Sequence, residues 1–140
     1  MKRLGAKQII HRDDITDNDN QPVREEKWSA AIDPVGGKTL QYILSTLKYD
    51  GSVATCGFTG GSEVFTTVFP HISRGINWLG IDSVQYPMNK RLNVWKRLGD
   101  DLKSTTLDEE MANEIPLEEL PQVLAAILKG EVRGRTLVKL

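Results

Sequence analysis

The stretch Gly51-Ser-Val-Ala-Thr-Cys-Gly-Phe-Thr-Gly-Gly61 sets the tightest limit on what this chain can fold into. It reads as a buried strand running into a glycine-rich turn. Val53, Ala54 and Cys56 are small and apolar, as a parallel strand covered on both faces requires. Gly57, Gly60 and Gly61 allow either positive φ or a close backbone approach. In open α/β sheets, ligands sit beyond the carboxyl ends of the strands. The turn is therefore expected to form one wall of a binding cleft.

The flanking segments fit an α/β chain. Gln8–His11 is a short apolar strand candidate, followed by a polar loop from Asp13 to Lys27. Trp28–Asp33 is a second strand, stopped by Pro34 and the pair Gly36-Gly37. Leu40, Ile43, Leu44 and Leu47 recur at helical spacing, with Tyr49-Asp50-Gly51 as the expected helix end and Gly51 as its αL residue. A short helix opened by Pro70 is expected within Thr67–Arg74, then a strand at Ile76–Asp82. Pro87 opens a long helix that carries Met88, Leu92, Trp95, Leu98 and Leu102 on one side. A second helix spans Leu117–Lys129, with Gly130 at its C′ position, and Thr136–Leu140 closes as a strand. This alternation predicts a mostly parallel sheet covered by helices, in one domain over residues 1–140.

Composition narrows the function classes. The formal net charge is −1, and Lys and Arg gather into no stripe, so nucleic acid is not an expected partner. No apolar run is long enough to cross a bilayer, and the basic start lacks the apolar region of a signal peptide, so no membrane partner is expected. A single cysteine excludes an internal disulfide and a cysteine-built zinc site; a cytoplasmic setting and no bound metal are the expectation. Neither His11 nor His71 is tied to Cys56 by any motif, so a cysteine nucleophile has no support.

Six pieces in order carry a family likeness: Asp33-Pro-Val-Gly-Gly37, Cys56-Gly-Phe-Thr-Gly-Gly61, Thr66-Thr-Val-Phe-Pro70, Ile72-Ser-Arg-Gly75, Leu79-Gly-Ile-Asp-Ser-Val84 and Gly134-Arg-Thr-Leu-Val-Lys-Leu140. Together they resemble the YhdH/YhfP branch of the zinc-independent medium-chain dehydrogenase/reductase superfamily, over nearly the whole chain. That branch holds NADPH-dependent acrylyl-CoA reductases and proteins named as quinone oxidoreductases. The resemblance implies the C-terminal portion of a Rossmann-type NAD(P)-binding domain. It also implies that a GroES-like catalytic domain and the first βαβ unit, with its glycine-rich fingerprint, are not included. No G-x-G-x-x-G occurs in the sequence.

The same resemblance assigns candidate cofactor positions. Arg12 falls near the adenosine end, where a guanidinium stacks or meets phosphate. Asp33, Val35 and Gly36 pass near the ribose, with an N-cap role for Asp33 as the plain alternative. Gly57 and Phe58 lie on the nicotinamide side. Ile72 packs on the ring, and Ser83 meets the carboxamide. Gly130 lets the chain pass the cofactor, although its C′ role explains it equally well. No catalytic acid is identifiable. The implied cofactor is NADPH, and the implied reaction is hydride transfer to an activated alkene, acrylyl-CoA or a quinone-like acceptor. The chain by itself is expected to be inactive. A homo-oligomer through the Ile76–Asp82 edge strand is implied, and so is a separate chain as one source of the missing domain. The competing reading is a non-catalytic remnant acting as a dimerisation or binding module.

Overall fold

A computed structural model of the chain describes residues 2, 5–15, 19–103 and 112–140. It divides into two compact units, Met1–Tyr86 and Pro87–Leu140.

The first unit is a three-stranded parallel sheet in the order β1-β2-β3. β1 is Trp28–Asp33, β2 is Leu47–Thr55 and β3 is Asn77–Gly80. Helix α1 (Gly37–Thr46) links β1 to β2, and the short α2 (Phe69–Arg74) precedes β3. The expected periodicity of α1 is real: Leu40 and Leu44 are buried, and they join Leu47, Val53 and Ile76 in the core. The register places Ala31, Val53 and Trp78 side by side across the sheet. The neighbouring row is Ile32, Ala54 and Leu79. Period-2 alternation puts those two rows on opposite faces. Among the described residues one face is packed and the other is open, since Ile32 is 80% exposed and Leu79 50%. Val53 is therefore buried as expected, but Ala54 is half-buried and Cys56 is exposed, against the expectation of a strand covered on both sides.

Two further expectations are corrected. Gln8–His11 is not a strand, because no strand among the described residues lies beside it to complete a hydrogen-bond ladder. A 3-10 turn at Arg12–Ile15 follows it instead. The helix expected to reach Gly51 stops at Thr46, and residues 47–55 are strand. The reason lies in how the last carbonyls of α1 are satisfied. Arg24 N–H donates to Ser45 O and Lys27 N–H to Thr46 O, both at 2.8 Å. The Arg74 guanidinium donates to Ser45 O at 3.0 Å and to Leu47 O at 3.1 Å, and also to the Arg24 carbonyl. With those groups paired, no left-handed glycine is needed; the positive φ falls on Asp50 (61°), inside β2, rather than on Gly51. Beside this junction the Lys27 ammonium donates to the Tyr42 hydroxyl at 2.9 Å, and that bond holds the ammonium above its ordinary range.

The second unit contains α3 (Met88–Gly99), β4 (Ala112–Pro116), α4 (Leu120–Leu128) and β5 (Arg135–Lys139). A 3-10 turn at Leu117–Glu119 leads into α4. β4 and β5 pair in parallel. Strand β4 was not foreseen: Ala112-Asn-Glu-Ile-Pro116 has too little β-branched or aromatic content to signal a strand. Met88, Leu92, Trp95 and Leu98 share α3 but all are exposed, and Leu102 lies past its end. Gly130 has φ 73°, as the residue after a helix end requires. No described residue of this unit is buried.

Among the described residues, core substitutions should therefore be felt in the first unit. Leu44→Ala removes a side chain with no exposed surface and is expected to cost roughly 2–5 kcal/mol. Leu124→Ala, at a position 53% exposed, should cost under about 1 kcal/mol. Urea denaturation of the two variants checks this; equal losses would place the core elsewhere.

Candidate functional site

Two turns leave neighbouring strands at the same level and lock together. The first, residues 33–37, leaves β1, and the second, residues 56–61, leaves β2. Asp33 organises the first. It is 1% exposed, and its carboxylate accepts from the Val35 and Gly36 N–H groups at 3.0 Å, with a second contact to Gly36 at 3.1 Å. The Asp33 carbonyl accepts from Cys56 N–H at 2.9 Å, which draws the second turn in. Gly60 N–H then donates to Val35 O at 2.7 Å, and Gly36 and Gly61 form a parallel bridge.

This contact explains the glycines. A Cβ on Gly57 would sit 2.5 Å from the Pro34 carbonyl oxygen, and one on Gly36 would sit 2.5 Å from that of Gly61. Gly36 also has φ 70°. The close approach expected at Gly57 and Gly60 is thus made to the opposite turn, and side chains of any size would force the turns apart.

Beyond the paired turns lies a cleft of about 820 Å³, at the carboxyl ends of β2 and β3. Gly36, Gly57 and Phe58 line it, together with Leu40, Thr55, Cys56, Gly61, Ser62, Val64, Trp78, Gly80, Ile81 and Asp82. Phe58 is 72% exposed. No Lys, Arg or His is on the lining. Its one carboxylate, Asp82, accepts from the Val84 and Gln85 N–H groups, both at 2.9 Å. The cleft therefore suits an uncharged, flat or apolar group better than a phosphate.

The other candidate residues lie off this lining. Asp33 is behind it, with its carboxylate bound to the turn; the helix N-cap itself is Gly36, three residues on. Val35 is half-buried and contributes the carbonyl that holds Gly60. Ile72 is 79% exposed on α2. Ser83 is exposed and follows Asp82. Arg12 is exposed in the 3-10 turn that packs near α1. Gly130 belongs to the second unit. Sequence reasoning missed Trp78, Ile81 and Asp82. The register Asp33–Thr55–Gly80 shows why they belong: all three strands end at one level, so residues at the end of β3 face the same space as those after β2.

No family model matches the chain. Curated relatives do. YhfP of Bacillus subtilis, whose name assigns it to the quinone oxidoreductases, is 46% identical over 140 residues, which is 100% of this chain and 42% of YhfP. The acrylyl-CoA reductase AcuI of Ruegeria pomeroyi is 44% identical over 135 residues, 96% of this chain and 41% of that protein. The chain is a homologue of the YhfP and AcuI oxidoreductases. It spans about two fifths of the length of these relatives. The crystal structure of B. subtilis YhfP with NAD bound superposes with a TM-score of 0.92 at 47% identity, covering 99% of this chain and 42% of that one. The yhdH oxidoreductase from Salmonella enterica in complex with NADP gives 0.89 at 40% identity, with the same coverage. The expected family and fold are therefore those found.

Two substitutions on the same lining separate the turn contact from mere looseness. Gly57→Ala should destabilise by roughly 1–3 kcal/mol, because the Pro34 carbonyl cannot give way without moving the turn. Gly80→Ala, whose Cβ would meet nothing within 4 Å, should stay within about 0.5 kcal/mol of the parent. Thermal unfolding of both decides it: similar stabilities would mean that the turns are not pressed together.

Proposed function

We propose that the chain supplies the nicotinamide side of the cofactor domain of an NADPH-dependent, zinc-independent cytoplasmic oxidoreductase. Its reaction is reduction of an activated alkene, such as an acrylyl thioester or a quinone-like acceptor. The observation that carries this reading is the largely apolar cleft, with no Lys, Arg or His on its lining, at the carboxyl ends of parallel strands, in a chain that superposes on NAD- and NADP-bound homologues.

When bound, NADPH supplies the hydride. Gly57 and Phe58 form the wall against its uncharged ring and keep water from it. Ser83 meets the carboxamide, and Ile72 adds apolar cover on the ring. Asp33, Val35 and Gly36 pass the ribose, with Asp33 acting through the turn that it holds. Arg12 serves the adenosine end. In Rossmann domains the pyrophosphate sits on a helix N-terminus behind a glycine fingerprint, and this sequence has no G-x-G-x-x-G. The 140 residues by themselves are therefore inactive and complete a site with polypeptide equivalent to the rest of the relatives' length. That polypeptide is either joined or a separate chain. The edge of β3, which among the described residues is hydrogen-bonded to β2 alone, is where a second copy pairs.

A chimera tests the reading. These 140 residues replace the matched segment of B. subtilis YhfP, and NADPH oxidation with acrylyl-CoA and with a quinone is followed. The chimera should bind NADPH and turn over at least one of the two, and Phe58→Ala should lower that rate. The isolated chain should do neither. A chimera that binds no cofactor, or an isolated chain that turns over acrylyl-CoA, contradicts the proposal.

A further inference from the structure

Trp78 lines the cleft with Phe58, and its indole is tied to the neighbouring strand by a hydrogen bond. Register pairs it with Val53, yet its indole N–H donates to Thr55 Oγ1 at 2.9 Å. Thr55 is two residues further along β2, on the same face, at the carboxyl end of the strand. The bond therefore draws the indole along the sheet toward the cleft that it lines. Trp78 still keeps 42% exposure. A tryptophan normally buries its large surface, and its N–H normally finds a partner. Here the partner is found and much of the surface stays open. Phe58 and Ile81 add apolar surface to the same lining, and no cation is present on it.

We propose that Trp78 is a specificity-determining wall for the hydride acceptor, and that the cleft selects flat, conjugated, uncharged rings of the quinone type by stacking them on the indole. Thr55 is its positioning residue. This rests on reading the cleft as the hydride-transfer site, and it adds a residue and a preference between the two acceptor types. Cleft volumes of roughly 300–1,000 Å³ hold drug-sized ligands, so about 820 Å³ leaves room for an acceptor beside a cofactor ring.

The test uses the full 140-residue chain and a dimethylnaphthoquinone whose quinone-ring carbons are both blocked, so that the exposed Cys56 thiol cannot add to it. Binding is followed by equilibrium dialysis. The parent chain should bind the quinone and should not bind a fully saturated ring dione of the same size. Trp78→Leu should weaken quinone binding roughly fivefold or more, and Trp78→Phe should restore most of it. Thr55→Val, which keeps the branched strand residue and frees the indole, should fall between. Circular dichroism checks that each variant is folded. If Trp78→Leu does not fold, the order parent, Trp78→Phe, Thr55→Val decides. Unchanged binding in Trp78→Leu, equal losses in the Leu and Phe variants, equal binding of the saturated dione, or no binding by the parent overturns the inference. Loss of NADPH binding in the YhfP chimera with quinone binding intact overturns only the cofactor reading.

Discussion

The first unit depends on one buried carboxylate. Asp33 lies at the end of β1, almost without exposure, and its oxygens hold the N–H groups of Val35 and Gly36. Bonds to a charged acceptor are among the stronger hydrogen bonds of a protein, and leaving such a group unpaired in the interior is costly. The arrangement therefore fixes the start of α1, since Gly36 is its N-cap, and through the Asp33 carbonyl it fixes the start of the second turn as well. The glycines permit this contact, and Asp33 determines where it forms. The cleft is the space that the two locked turns leave open at the ends of β2 and β3.

At the other end of α1 a different device does the corresponding work. The Arg74 guanidinium gathers carbonyls from residues 24, 45 and 47, and so joins α2 to the last turn of α1 and to the loop before β1. Its Nε lies 3.4 Å from Glu26 Oε1, which balances the charge. Both ends of α1 are thus defined by side chains distant in sequence from the carbonyls they bind, or by turns packed backbone on backbone. The helix separates the cleft from this junction.

These two devices explain what the sequence disclosed and what it hid. β1 was legible to the residue, because Trp28–Asp33 is bounded by Pro34 and two glycines. The α1 stripe was legible because Leu40 and Leu44 bury one face. The end of α1 was not legible: its cap comes from Arg74 and residues 24–27, and local turn chemistry pointed to Gly51 instead. The glycine-rich turn was recognised as a cleft wall, while the object of its close approach, the first turn, required the register of β1 against β2. Trp78 escaped notice for a related reason: in sequence it is an ordinary strand aromatic, and only the bond to Thr55 turns it toward the cleft.

Amide hydrogen exchange tests the central claim, that the two turns are locked by Asp33 and by each other. The N–H groups of Gly36, Cys56 and Gly60 should be protected to nearly the same degree as that of Val53 in the core strand, because releasing them requires the unit to open. Exchange of those three amides at the rate of the exposed loop amides, with Val53 still protected, would contradict it.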